Sequence, residues 1–293
     1  MRPKIILEEQ GPRDGFQVEK LWIPTEMKVY YINKLAEAGL KRIQITSFVN
    51  PKLVPQMADS VEVTNIITIK EGVTYSALVL NTKGVERALE TKIQNLSISL
   101  SASETHSSKN TGKGIRESVD EIFKAIYLAQ FYKIKVRAGI QCAFGCRYEG
   151  KIKEKVVLNL VEFLLTLGVK EIALADSTGM GNPKLMKAIL KNVNAIKGKT
   201  PINIHLHDTE GKGFLNLMAA IEMGVTRFDT AFGGLGGCPF IKGATGNIAT
   251  EDTVSLLEEL GFSTGIDKQK IIALSKEIEN FLGKKLPGKI KEL

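Results

Sequence analysis

Cysteine is scarce: of 293 residues only Cys142, Cys146 and Cys238 carry thiols. Three cannot all pair, which excludes a disulfide framework and fits a reducing compartment. Cys142 and Cys146 are expected as free or buried thiols near a strand end, since two thiols alone make a weak zinc site. The chain also lacks any run of about 18 apolar residues, which excludes a membrane-spanning helix. Its first nine residues, MRPKIILEE, turn acidic after three apolar ones. That is too short for a secretory signal or an Arg-rich transit peptide, so a cytoplasmic location is expected. Neither zinc-finger spacing nor an aromatic-interleaved basic strand occurs, which argues against a nucleic-acid reader. The formal charge of +8 is spread along the chain and densest over 284–291. It reads as a solvated lysine surface that also draws in an anionic substrate or cofactor.

What is present is a repeated turn. Ala38-Gly39-Leu40, Leu167-Gly168-Val169 and Met223-Gly224-Val225 each follow a helical run and precede an apolar one. Glycine after a helix adopts the left-handed conformation without a Cβ penalty, and the next apolar residue starts a strand. Reading outward predicts strands near 5–9, 42–46, 74–78, 95–99, 135–141, 170–175, 201–207 and 227–231. Helix-period segments lie between them, among them 25–38, 115–131, 151–167, 183–196 and 212–223. Alternation of this kind forces parallel pairing, and eight units in a chain of this length close as an α/β fold of the (β/α)₈ TIM-barrel class. A doubly wound open sheet is the runner-up. It would want a Gly-rich fingerprint after the first strand, which Gly11-Pro12-Arg13-Asp14-Gly15 is not. No Pro/Ser-rich linker divides the chain, so one domain is expected over 1–293, with the barrel over roughly 5–262 and a helical extension over roughly 263–293.

Histidine is as rare as cysteine, yet two of the three histidines stand as His205-Leu206-His207 at the end of an apolar run. Residues i and i+2 of a strand share a face, so both imidazoles converge at the strand's carboxyl end. That suits a bidentate site for Mg²⁺, Mn²⁺ or Zn²⁺; a pair of satisfied core histidines is the alternative. In a barrel, active sites lie at the carboxyl ends of the strands. The polar residues there are Arg13 and Asp14 after strand one, and Gln44, Thr46 and Ser47 at strand two. Strand five adds Gln141, and strand six Asp176, Ser177 and Thr178. Asp14 offers a carboxylate to an ion held by the histidines, and Arg13 a guanidinium for an anionic oxygen, unless the two form a surface ion pair. Asp176 reads as a general base or as the cap of the next turn. Six glycines over 233–247 surround Cys238. A thiol on a pliable loop can act as acid or base once the loop closes.

These residues resemble the 3-hydroxy-3-methylglutaryl-CoA lyases of the barrel metallolyase superfamily. The resemblance covers roughly 5–270 and rests on GPRDGFQVEK (11–20), TSFVNPKLVPQM (46–57), HLHDTEG (205–211) and GGLGGCPFIKGATGNIATED (233–252). It implies a divalent ion, Mg²⁺ or Mn²⁺, on Asp14, His205, His207 and Asn247. Arg13 would steady a thioester enolate, and Cys238 would serve as an acid/base residue. Asp176 would sit near the substrate hydroxyl, with Lys20 and Ser47 bordering the substrate. The implied reaction is retro-Claisen cleavage of a CoA thioester, with His205 or Asp176 as base and acetyl-CoA and acetoacetate, or another 3-keto acid, as products. It also implies a homodimer, with no nucleic-acid or membrane partner. One position departs from the family: Gln44 stands where these lyases carry a glutamate at the end of strand two. Amide for carboxylate weakens a charged hydrogen bond, about 1.5–3 kcal/mol against about 1 for a neutral one. The expectation is a weak lyase on the family substrate or one tuned to a different 3-hydroxyacyl-CoA. Glu210, where the family often has an aromatic residue, is a lesser difference. Two further readings are a Claisen-condensing acyltransferase of the same superfamily and a lyase-like metal-binding protein with little or no activity. The cysteine loop and the short C-terminal part speak for the lyase.

Overall fold

The computed structural model describes residues 3–237 and 246–290. Among them, eight parallel strands close into a barrel in sequence order. They are β1 (Ile6–Glu9), β2 (Arg42–Ser47), β3 (Thr74–Val79), β4 (Asn95–Ser101), β5 (Lys135–Gln141), β6 (Glu171–Asp176), β7 (Ile202–Leu206) and β8 (Arg227–Thr230). β8 closes on β1, with Ile6 opposite Arg227 and Glu9 opposite Thr230. The helices are α1 (Thr25–Glu37), α2 (Ser60–Ile66), α3 (Thr82–Leu89), α4 (Glu104–Thr111), α5 (Ile115–Phe131), α6 (Glu154–Thr166), α7 (Pro183–Ile196), α8 (Gly213–Glu222), α9 (Thr250–Glu259) and α10 (Lys268–Leu282). The TIM-barrel expectation is met, and a C-terminal helix follows the barrel as α10.

Alternation along β4 shows how the sequence divides inside from outside. Leu96 and Ile98 are buried in the core outside the strand, whereas Ser97, Ser99 and Ser101 line a cavity that Leu100 also borders at the strand's end. The aliphatic residues of β5 to β7 (Val136, Ile140, Ile172, Leu174, Ile202 and Ile204) are likewise buried in the hydrophobic core. Each such side chain contributes about 1.5–3 kcal/mol on burial. The αβ-turn glycines have positive φ, 102° at Gly39, 64° at Gly168 and 84° at Gly224. A Cβ on Gly39 would stand 2.4 Å from the carbonyl oxygen of Gly265, so this turn admits no side chain.

The amino-terminal half of the barrel is closed by charge rather than by branched aliphatics. Arg42 pairs with Glu8 at 2.5 Å and with Glu171 at 2.7 Å; Arg227 also donates to Glu171. Arg137 pairs with Glu8 at 2.9 Å and with Asp229 at 2.5 Å. Three guanidinium groups thus meet three carboxylates in a floor beneath the cavity.

The structure corrects two strand-end expectations. The register of β2 against β3 shifts between Gln44 and Thr46. Gln44 therefore faces the cavity while Thr46 turns outward, its hydroxyl donating to Ser60 Oγ at 2.9 Å. Strict alternation had placed both on one face, and the irregularity breaks the parity. The β7 ladder ends at Leu206, and His207 forms a bridge with Asn247 instead.

Candidate active site

At the carboxyl end of the barrel the chain leaves β1 through a wide helical turn, Gly11–Gly15, that carries Arg13 and Asp14 inward. A Cβ on Gly11 would lie 2.4 Å from the Phe232 ring, and one on Gly15 2.7 Å from Leu235, so only glycine lets this turn pack against the segment after β8. Asp14, His205 and His207 converge: a ligand atom of each lies within 4.8 Å of the others. The Nε2 atoms of the two imidazoles are 3.1 Å apart, and Asp14 Oδ2 is 4.0 Å from that of His205 and 3.8 Å from that of His207. Asn247 donates its amide to Asp14 Oδ2 at 2.8 Å and to the Leu235 carbonyl at 3.0 Å.

Two orphaned atoms test whether a cation belongs here. Asn247 Oδ1 and His207 Nδ1 are buried without a hydrogen-bond partner among the described residues. Buried acceptors are ordinarily satisfied, and an amide oxygen beside a carboxylate and two imidazoles is a donor set for a divalent cation. The residues fit.

The surrounding groups tune this cluster. His205 Nδ1 lies 3.1 Å from Asp229 Oδ2, an arrangement that fixes the ring and turns Nε2 toward His207 and Asp14. Burial works against ionisation of Asp14, but the Arg13 guanidinium and the two imidazoles hold its carboxyl well below the usual carboxylate range. Asp229 is likewise held low against burial by Arg137 and His205. Asp176, at the end of β6, is fully buried and pushed up to about 6 by that burial, with the Gly181 N–H and nearby His207 and Lys212 opposing. Its Oδ2 accepts Gly181 N–H at 3.0 Å, and its Oδ1 has no hydrogen-bond partner among the described residues.

Arg13 is gripped from three sides. Nε donates to Gln44 Oε1, Nη1 to Asp14 Oδ1 at 2.5 Å and Nη2 to Gln10 Oε1 at 3.0 Å. The cavity these residues open onto has a volume of about 520 Å³ and runs from His205 and Asp14 past Ser99 and Gln141 to Lys109, Asn110 and Lys113 at the mouth.

Arg13, Asp14, Gln44, His205, His207 and Asn247 are thus brought together as the sequence implied. Ser47 is buried at the end of β2, its hydroxyl without a hydrogen-bond partner among the described residues. Asp176 stands at the end of the neighbouring strand, its carboxyl capping Gly181. Lys20 is exposed and does not line the cavity. Cys238 lies outside the described residues, while Gly237 lines the cavity. Glu210 is at the rim, paired with Arg147 and with Lys212 at 2.6 Å. Asp208 caps α8 by accepting Gly213 N–H at 2.7 Å. Sequence reasoning passed over Gln10, Arg137 and Asp229. The signal was available: each is a polar or charged residue set in or just after a strand, where an outward face would be apolar.

A TIM barrel with an Asp/His/His cluster able to hold a metal ion and an arginine at its carboxyl mouth defines the class, the barrel enzymes that act at the carboxyl ends of their strands. The HMGL-like family model matches residues 4–278. The chain is 41% identical over 286 residues to a hydroxymethylglutaryl-CoA lyase of Bacillus subtilis, covering 98% of this chain and 96% of that one. The crystal structure of the Bacillus subtilis HMG-CoA lyase superposes with a TM-score of 0.96 at 40% identity, over 99% of this chain and 98% of that one. An HMG-CoA lyase from Acinetobacter baumannii in complex with coenzyme A and 3-methylmalate superposes with a TM-score of 0.95 at 40% identity, over 99% and 94% of the two chains. The chain belongs to the HMGL-like family and, with it, to the carbon–carbon lyases.

Proposed function

We propose that this protein cleaves 3-hydroxy-3-methylglutaryl-CoA, or a close 3-hydroxyacyl-CoA, to acetyl-CoA and acetoacetate, or the matching 3-keto acid. The observation that carries the reading is the convergence of Asp14, His205, His207 and Asn247 beside Arg13 at the head of one cavity. Lys109 at the mouth, with Lys113 held beside it by Glu121 at 2.8 Å, suits the phosphates of a CoA thioester.

Asp14, His205, His207 and Asn247 would hold the divalent cation, Mg²⁺ or Mn²⁺, with Zn²⁺ able to take the same donors. When bound, it supplies Lewis-acid polarisation of the substrate hydroxyl. In the reaction the C3 hydroxyl loses its proton, the electron pair forms the ketone and the C2–C3 bond breaks, leaving the enolate of acetyl-CoA. Asp176, raised by burial to about 6, or His205 would take the proton. Arg13, fixed by Gln44, Asp14 and Gln10, would stabilise the enolate oxygen without having to reorganise. Cys238 would return a proton to the enolate carbon, so no net proton is consumed. Gln44, Ser47 and Lys20 are assigned to the substrate's surroundings on the family resemblance.

We infer in addition a homodimer in the cytoplasm acting in a degradative route such as leucine breakdown. Among the described residues no helix is long and apolar enough to cross a membrane. Along α5, Phe123, Tyr127 and Phe131 form an exposed apolar stripe at helical spacing, of the kind self-association covers.

The test is direct: metal-stripped protein receives 3-hydroxy-3-methylglutaryl-CoA with Mg²⁺ or Mn²⁺, and acetyl-CoA and acetoacetate are followed. Product that disappears with chelator and with Cys238→Ala is expected. Folded, metal-loaded protein that turns over neither this ester nor related 3-hydroxyacyl-CoA esters would overturn the reading.

A further inference from the structure

The cavity continues below the reacting groups into the barrel, where a (β/α)₈ fold is ordinarily filled by bulky branched side chains. Here three neighbouring strands put small residues on one rung: Ser99 of β4 is registered with Gly139 of β5, and Gly139 with Ala173 of β6. The rungs on either side are Ser97 with Arg137 below and Ser101 with Gln141 above. At about 3.3 Å per residue, the gap is one rung deep, some two residues of rise. Ser97, Ser99, Arg137, Gly139, Ala173 and Ala175 all line the cavity that reaches His205.

This space is polar. Ser97 is only 5% exposed, yet neither its hydroxyl nor that of Ser99 has a hydrogen-bond partner among the described residues. A Cβ on Gly139 would stand 2.5 Å from Ser99 Oγ, so the glycine makes the room into which that hydroxyl leans. The floor is charge-balanced: Arg137 is ion-paired with Glu8 and Asp229 and donates to Asn203, its Nε and Nη1 being without a hydrogen-bond partner among the described residues, and Arg42 and Arg227 pair with Glu8 and Glu171. An acidic branch would meet a charge-balanced layer. A neutral, hydroxylated one would meet two waiting hydroxyls.

We propose that this pocket takes a C3 branch longer than methyl and bearing a hydroxyl, so that the enzyme prefers a 3-hydroxyacyl-CoA with such a branch over the methyl compound. The inference rests on the lyase reading above. The thioester arm must run to the mouth because CoA is too large for the barrel. The hydroxyl and carboxylate of the acyl group meet Arg13, Asp14 and the histidines. The remaining substituent at C3 is the one left to face Ser97 and Ser99.

Three substrates decide it: 3-hydroxy-3-methylglutaryl-CoA and its analogues with 2-hydroxyethyl or propyl in place of methyl. Breaking C2–C3 in each releases acetyl-CoA, with acetoacetate, 5-hydroxy-3-oxopentanoate and 3-oxohexanoate as the respective keto acids. The hydroxyethyl ester is expected to exceed both others in kcat/KM, and the isosteric propyl ester by about fivefold for one hydrogen bond gained. In Ser97→Ala/Ser99→Ala that ratio of hydroxyethyl to propyl should fall to about one. In Ala173→Leu, which fills the rung, both long-branch esters should lose ground to the methyl ester by tenfold or more. Turnover of the methyl ester with refusal of both longer ones overturns the proposal and leaves the lyase reading standing. Equal rates for hydroxyethyl and propyl overturn its polar half. Cleavage of none of the three overturns the lyase reading and this inference with it.

Discussion

His205 Nδ1 sits 3.1 Å from Asp229 Oδ2, and the same carboxylate oxygen accepts Arg137 Nη2 at 2.5 Å. One buried aspartate therefore joins the charged floor of the barrel to the chemistry above it. Asp229 holds the ring by one nitrogen so that the other points at Asp14 and His207. Outer partners of metal-ligating histidines contribute about 10- to 100-fold to affinity. Asp229→Asn is expected to weaken Mn²⁺ binding by that factor in calorimetry, with the circular dichroism of the apo protein unchanged. Unchanged affinity would remove Asp229 from any role at the centre.

Much of this was readable in the sequence because barrel strands announce themselves locally. The Gly39, Gly168 and Gly224 turns, which need positive φ, located strand starts without any knowledge of tertiary structure. The His205/His207 pair and the Arg13-Asp14 turn could be named because polar residues at strand ends have few structural reasons to be there. What stayed hidden depends on pairings between distant strands. The irregularity in β2 that turns Thr46 outward is a register event with β3. Arg137 and Asp229 gain meaning only when β5, β7 and β8 are closed around one axis. Ser97 and Ser99 looked like ordinary strand residues until Gly139 and Ala173 were seen beside them.

The family resemblance sets a glutamate where this chain carries Gln44, and the place of Gln44 beside Arg13 says what such a change would do. Its side-chain oxygen accepts Arg13 Nε in a pocket where Gln44 is 1% exposed. A carboxylate there would grip the guanidinium harder, the difference between a charged and a neutral hydrogen bond being about 1 kcal/mol. Gln44→Glu is therefore expected to raise kcat/KM on 3-hydroxy-3-methylglutaryl-CoA by about fivefold or to shift preference among 3-hydroxyacyl-CoA esters. Identical rates and preferences in the variant would show that Gln44 sets neither.

Glu9 and Glu251 brace the loops that carry the site. Glu9 accepts the Gly11 and Phe232 N–H groups at 2.7 and 3.0 Å, and Glu251 accepts Gly233 N–H at 3.0 Å. Burial pushes both carboxyls from 4.5 to about 7, against the Thr250 hydroxyl and backbone donors at Glu9 and the Gly233 donor at Glu251. An acid raised on folding stabilises the fold fully below its unfolded pKa and loses that contribution as pH rises through the folded one. From about pH 4.5 to about pH 7 the protein should therefore lose up to about 3 kcal/mol per group. Glu251→Gln should flatten this slope, so that its Tm equals or trails the unmodified protein's at pH 5 and exceeds it at pH 8. Parallel Tm profiles for the two proteins would rule out the titration.

Arg137 is the most deeply buried of the three guanidinium groups in the floor. It is 9% exposed and pairs with both Glu8 and Asp229, while Arg42 and Arg227 supply the rest of the cationic charge. Removing it leaves three buried carboxylates against two guanidinium groups. Breaking a buried pair by deleting one partner typically destabilises by about 3–5 kcal/mol, because the other charge stays buried and uncompensated. Arg137→Met should unfold at correspondingly lower denaturant. Adding Asp229→Asn removes one of the stranded charges, so the double variant should regain part of that loss instead of summing the two single effects. Strict additivity in urea unfolding would show that Arg137 and Asp229 are energetically separate, and that the floor does not reach His205 through them.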